Sequence, residues 1–98
     1  MIKYDANGQA YDEVRPNARL DWGVDWSQEM RTGDTITQST WTGPESLNLE
    51  DASFSTNATK VWVEGFVLGQ NYTITNSIVT AQGREDSRTI VLKCREVV

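Results

Sequence analysis

The chain has 98 residues, which gives room for one hydrophobic core and not two. Its formal net charge is −5, and its nine basic residues are scattered beside acids, as in Arg84-Glu85-Asp86. That balance disfavours nucleic acid and anionic membrane surfaces, which both need clustered Lys and Arg.

Residues 1–17 are polar and broken by Gly8 and Pro16, with Tyr4, Tyr11 and Val14 as isolated apolar positions. The pattern predicts a flexible N-terminal arm over 1–17 that orders on a neighbour through Tyr4 and Tyr11, or else a frayed terminus. Met1-Ile2-Lys3-Tyr4 opens no apolar run of signal-peptide or membrane-span length. The folded domain is then expected over 18–98.

From Ala18 onward the period changes to two. Leu20, Trp22 and Val24 alternate with Asp21, Gly23 and Asp25, which is strand periodicity. Trp26 to Met30 has room for one helical turn, closed by Thr32-Gly33-Asp34. Thr35 to Thr42 is rich in β-branched residues, with Ile36 and Trp41 as its bulky members, and Gly43-Pro44-Glu45 is a turn. Leu47 and Leu49 alternate with polar neighbours ahead of Phe54.

The second half is clearer. Val61 and Val63 share one face of a strand with Trp62 opposite, and Gly65 to Gly69 brackets the apolar Phe66-Val67-Leu68. Tyr72, Ile74 and Ile78 take one face of the next strand, and Ile90, Leu92 and Cys94 one face of the last. Six or seven short strands with no helical stripe longer than one turn predict an all-β domain. The favoured architecture is an antiparallel immunoglobulin-like β-sandwich.

Tyr72 opens its strand just past a glycine turn. In immunoglobulin-like sandwiches a tyrosine there bonds its hydroxyl back to the corner backbone; the plainer alternative is a core aromatic. Of the four tryptophans, Trp22 and Trp41 suit the core, whereas Trp62 points away from its valine neighbours and could meet a partner. Trp62 or Trp26 could also stack on a sugar ring. The contact residues expected from this reading are Tyr4, Tyr11, Trp62, Phe66 and Leu68.

Catalysis finds little support. The carboxylate pairs Asp12/Glu13, Glu50/Asp51 and Glu85/Asp86 are adjacent in sequence, so on a strand their side chains point to opposite faces rather than across a cleft. With no histidine, the imidazole route to an activated Ser or Cys is missing. Cys94, the single cysteine, sits on an apolar face as a small hydrophobe and leaves no internal disulfide. One cysteine and no histidine cannot assemble a zinc site, and no Asp-x-Asp-x-Asp-Gly calcium loop or phosphate-binding glycine loop is present. No enzyme activity, catalytic residue, metal or cofactor is expected.

Three stretches nonetheless form a recognisable set. They are Leu20-Asp21-Trp22 to Asp25-Trp26; Gly33-Asp34-Thr35-Ile36 on to Ser39-Thr40-Trp41-Thr42; and Val61-Trp62-Val63 with Tyr72-Thr73-Ile74-Thr75-Asn76 and Gly83-Arg84. Together, over about residues 19–93, they resemble small immunoglobulin-like virion proteins of tailed bacteriophages, the fibre–tail adaptor family. The loop Gly65-Phe66-Val67-Leu68-Gly69 is more apolar than the small-residue turn associated with that family.

The resemblance implies a structural virion protein, made in the host cytoplasm and present in several copies. Its partners would be other virion proteins of the tail, fibre, portal-adaptor region or capsid. Fibre–tail or head–tail adaptor is the first function it implies, with capsid decoration as the alternative and carbohydrate binding as a third possibility from another class.

Overall fold

Strands that alternate apolar and polar side chains each have one face to hide, and two stacked sheets hide both sets at once. The computed structural model, which describes residues 2–96, builds that arrangement from eight strands. They are β1 (Lys3–Tyr4), β2 (Ala10–Val14), β3 (Leu20–Asp25), β4 (Ile36–Thr42), β5 (Asn48–Phe54), β6 (Ala58–Glu64), β7 (Asn71–Thr80) and β8 (Glu85–Cys94). The larger sheet has the order β1-β2-β8-β7-β4 and the smaller β3-β6-β5. Neighbours are antiparallel except β2 and β8, which run parallel. The fold is an all-β sandwich.

The core lies where the inward faces meet. Trp22, Val24, Val61 and Val63 come from the smaller sheet; Ile74, Ile78, Ile90, Leu92 and Cys94 come from the larger. Ile36 and Trp41 have opposite parity in β4, yet Ile36 is buried and Trp41 packs against the core. A register shift between Ile36 and Gln38 reconciles them, since one extra residue turns the strand over.

Buried polar groups tie the two sheets together. Asn76 of β7 is fully buried, and its Oδ1 accepts from Trp26 Nε1 at 3.0 Å and from Thr59 Oγ1 of β6 at 2.7 Å. Its Nδ2 donates to Ser39 Oγ at 3.0 Å and Thr40 O at 3.2 Å in β4. Each donor and acceptor is used, as a carboxamide in a low-dielectric interior requires. A second tie runs from Trp22 Nε1 of β3 to Asp12 Oδ2 of β2, 2.9 Å apart.

The N-terminal stretch departs from the sequence expectation. Residues 10–14 form a strand laddered to β8 from Tyr11↔Val91 to Val14↔Cys94, and Val14 is part of the core. Lys3 and Tyr4 pair with Tyr11 and Ala10. These two strands raise the count from the expected six or seven to eight. The segment after Trp26 closes the single turn that the sequence had room for, with Glu29 N–H donating to Trp26 O at 2.9 Å, as a hydrogen-bonded turn rather than a helix.

Candidate interaction surface

Five side chains stood out in the sequence as contact residues, and the fold does not gather them into one patch. Tyr4 is the most exposed large apolar side chain among the described residues, at 69 %. In the β1–β2 register Lys3 faces Tyr11 and Tyr4 faces Ala10, so the two tyrosines point to opposite sides of the hairpin. Tyr11 lies half-buried on the outer face of the larger sheet, with the Lys93 ammonium 4.4 Å from its ring centroid.

Trp62 sits on the outer face of β6, opposite Asp21 of β3 and Glu50 of β5. The Arg19 guanidinium lies 4.8 Å from its ring centroid and the Lys60 ammonium 5.7 Å. Arg19 is held there by Asp51 at 2.8 Å and Glu64 at 3.7 Å. The indole therefore supports a network of charges, and its π-face is already engaged by cations.

Two expectations need correction. Phe66 is not a contact residue on an exposed loop: it is buried, meeting the rings of Trp22 and Tyr72 edge-to-face at 5.9 and 5.7 Å. Burying its large apolar surface against two aromatic edges outweighs leaving it in water. Trp26 is no sugar-stacking platform either. It is fully buried, with Asn76 taking its indole N–H and the Arg88 guanidinium 5.1 Å from its ring.

Leu68 is exposed as expected, and Val67 beside it is more so, at 47 % and 56 %. The loop carrying them is pinned on all sides. Val67 N–H donates to the Tyr72 hydroxyl at 2.9 Å, the bond back to the corner that the position of Tyr72 predicts. Gln70 N–H donates to Val67 O, Gly69 N–H to Cys94 O, and Cys94 N–H to Gln70 O. Gly69, at φ +86°, occupies the third position of this turn, where a left-handed conformation suits glycine.

Leu20, 45 % exposed, stands at the same end of the sandwich, since it pairs with Val63 just before the loop. Leu20 was not singled out from the sequence, and Val67 entered only as part of the apolar 66–68 loop. Leu20 has the parity of Trp22 and Val24 and was expected inside with them; its place at the start of an edge strand leaves it uncovered.

Among the described residues, no cluster of three or more His, Cys, Asp or Glu could hold a metal ion. The Cys94 thiol is fully buried, and burial pushes its pKa up against the smaller opposing pull of Arg95. The neutral thiol is therefore favoured, which is the opposite of an activated nucleophile.

No curated protein matches the chain. A family model described as podophage GP4 fiber-tail adaptor protein gp77 matches residues 15–93, a span that takes in β3 to β7, the exposed 65–70 loop and all but the last residue of β8. With most of the sandwich inside that match, the chain belongs to the podophage GP4 fiber-tail adaptor protein gp77 family.

Proposed function

We propose that this protein is a non-enzymatic virion component that joins tail fibres to the phage tail. The observation that carries the proposal is the family match over residues 15–93. The surface agrees with it: what the sandwich offers to solvent is side-chain contact area, with Tyr4, Val67, Phe54, Leu68 and Leu20 as the exposed large apolar members among the described residues. Its partners are tail and fibre proteins, and it acts after synthesis in the host cytoplasm by being built into the particle.

An adaptor of this kind works by geometry. A β-sandwich tied across its core by Asn76 and by the Asp12–Trp22 bond is stiff, so surfaces at its two ends and faces keep fixed relative directions. Rigid presentation lowers the entropy lost on assembly.

Gold-labelled antibody against this chain on intact particles tests the proposal. Label confined to the tail and fibre attachment region is the expected result. Label spread uniformly over the head would overturn it in favour of a capsid decoration protein.

A further inference from the structure

We infer that the outer edge of β4 is a strand-docking site, and that its occupant is an extended segment of another virion protein, apolar on one face and polar on the other. The adaptor reading supplies only the class of protein that the segment belongs to; the site itself stands on the strand pairing of this chain.

A sheet edge presents backbone N–H and C=O groups that a further strand can pair with, so soluble domains blunt their edges. The two sheets end in β1, β4, β3 and β5. Strand β1 is two residues long and carries Lys3. Strand β3 carries Asp21 and Asp25, and its inward Trp22 and Val24 are already buried. Strand β5 carries Glu50 and Asp51 at a register shift. Strand β4 has none of these devices from Gln38 to Thr42: its seven residues include no charge, and its register there is regular.

Ladder bonds alternate along an antiparallel edge strand. Ile36 N–H points away from β7 and is taken by Thr56 O at 2.9 Å. The extra residue before Gln38 reverses the parity, so Thr40 C=O turns toward β7, where Asn76 Nδ2 reaches it at 3.2 Å. Ser39 and Trp41 therefore turn their N–H and C=O groups away from the sheet. Among the described residues, no backbone group of another element bonds them there.

The inward side of the edge sets the pattern of the occupant. Ser39 and Trp41 lie opposite the buried Ile78 and Asn76, yet both are only half-buried. Trp41 also holds the one buried indole N–H among the described residues that has no acceptor. On the neighbouring edge strand β5, Leu49 pairs with the buried Val63 and is likewise half-buried. An added strand lays alternate residues toward Trp41 and Leu49, which calls for apolar side chains. Its other residues lie beside the exposed Gln38, Thr40 and Thr42, which calls for polar ones.

A second copy of β4 is the poorer fit. Antiparallel to itself, the register that opposes the two Trp41 residues overlaps only residues 40–42 before the Gly43-Pro44 turn. The longer overlaps that keep the inward faces together set Trp41 against Ser39 or Thr37, and neither covers the indole with apolar surface.

Amide exchange followed by NMR on the isolated chain tests the edge. Ser39 and Trp41 should exchange with deuterium at least about tenfold faster than Thr40, whose amide the ladder holds. Equal protection of all three would overturn the inference. A photo-crosslinking amino acid at position 40 in phage-borne protein, with position 60 on the outer face of β6 as control, tests the occupant. The expected result is a crosslink from position 40 to a segment of a different virion protein in which apolar and polar residues alternate. A crosslink to a second copy of this chain, to a segment without that alternation, or to no protein would overturn the inference.

Two variants isolate the outward N–H. Ser39→Ala loses the hydroxyl and keeps the N–H, whereas Ser39→Pro loses both at a site where an edge strand tolerates proline. At equal thermal midpoints, Ser39→Pro should enter particles about tenfold less well than Ser39→Ala. Equal incorporation of the two would count against the edge. The two readings fail separately: a position-40 crosslink to a strand of the capsid protein would remove the tail assignment and keep the docking edge. A fibre-protein crosslink from position 60, with none from position 40, would do the reverse.

Discussion

Trp26, in the segment leaving β3, and Asn76, in the middle of β7, are both fully buried and joined by a hydrogen bond from the indole N–H to the carboxamide oxygen at 3.0 Å. Fifty residues separate them in sequence, and their bond closes one sheet onto the other. Thr59 donates to the same oxygen. Replacing Asn76 by Ala strands both donors in the core, each at a cost of about 1–3 kcal/mol. Asn76→Ala should therefore lose about 3 kcal/mol in urea unfolding, and a loss below about 1 kcal/mol would show the network to be slack.

Tyr72 and the exposed loop make a narrower prediction. Tyr72→Phe keeps the ring against Phe66 and removes only the acceptor for Val67 N–H. Stability should fall by about 1 kcal/mol, the net worth of one hydrogen bond. The Val67 amide should exchange with deuterium faster than in the parent chain. Unchanged exchange would mean that the turn holds without its corner.

Gly23 is fixed by space. A Cβ at this position would lie 2.4 Å from the carbonyl oxygen of Thr59 on the neighbouring strand. Backbone cannot swing aside as a side chain can, so β3 and β6 would have to part. Gly23→Ala should cost about 3 kcal/mol, the upper part of the range for overpacking. A thermal melt within a degree of the parent would refute the close approach.

Asp34 sets an acid limit on the loops at the opposite end. Burial tends to raise its pKa, but the Thr80 hydroxyl, the N–H groups of Gln82 and Thr35 and the charge of Arg84 outweigh burial and hold it below the ordinary aspartate value. A carboxyl depressed in the folded state gives stability that is present above its unfolded pKa of about 3.9. That contribution is lost as pH falls through the folded value. Stability should decline on acidification below about pH 4, and Asp34→Asn should be less stable at neutral pH with a shallower decline. Parallel curves for the two proteins would contradict this.

How much of this was legible in the sequence follows from parity. Trp22, Val61, Val63, Tyr72, Ile74, Ile90, Leu92 and Cys94 all lie on the faces their alternation assigned to them. Asn76 shares the inward parity of Tyr72, Ile74 and Ile78, so its burial was readable, although a carboxamide there gives no hydrophobic signal. Strand β2 was missed because its middle inward residue is Asp12, which is buried and accepts the Trp22 indole N–H; a charged residue on the core face erases the apolar period.

Phe54 was given no face by the sequence. The register shift between Glu50 and Ser53, with Asp51 at φ +51°, pairs Phe54 with the buried Thr59, yet as the last residue of the edge strand β5 it stays 48 % exposed. The contact residues were the least legible part, because exposure of a loop residue depends on which neighbour takes the core. Phe66 took it, leaving Val67 and Leu68 outside.

The account stands on this chain being a tail component of the virion. Quantitative mass spectrometry of purified particles, measured against the major capsid protein, weighs that claim most directly. The chain should be present at a small, fixed ratio, far below the capsid protein and in line with the tail and fibre proteins. A ratio matching the capsid protein copy for copy, or absence from the purified particle, would contradict it.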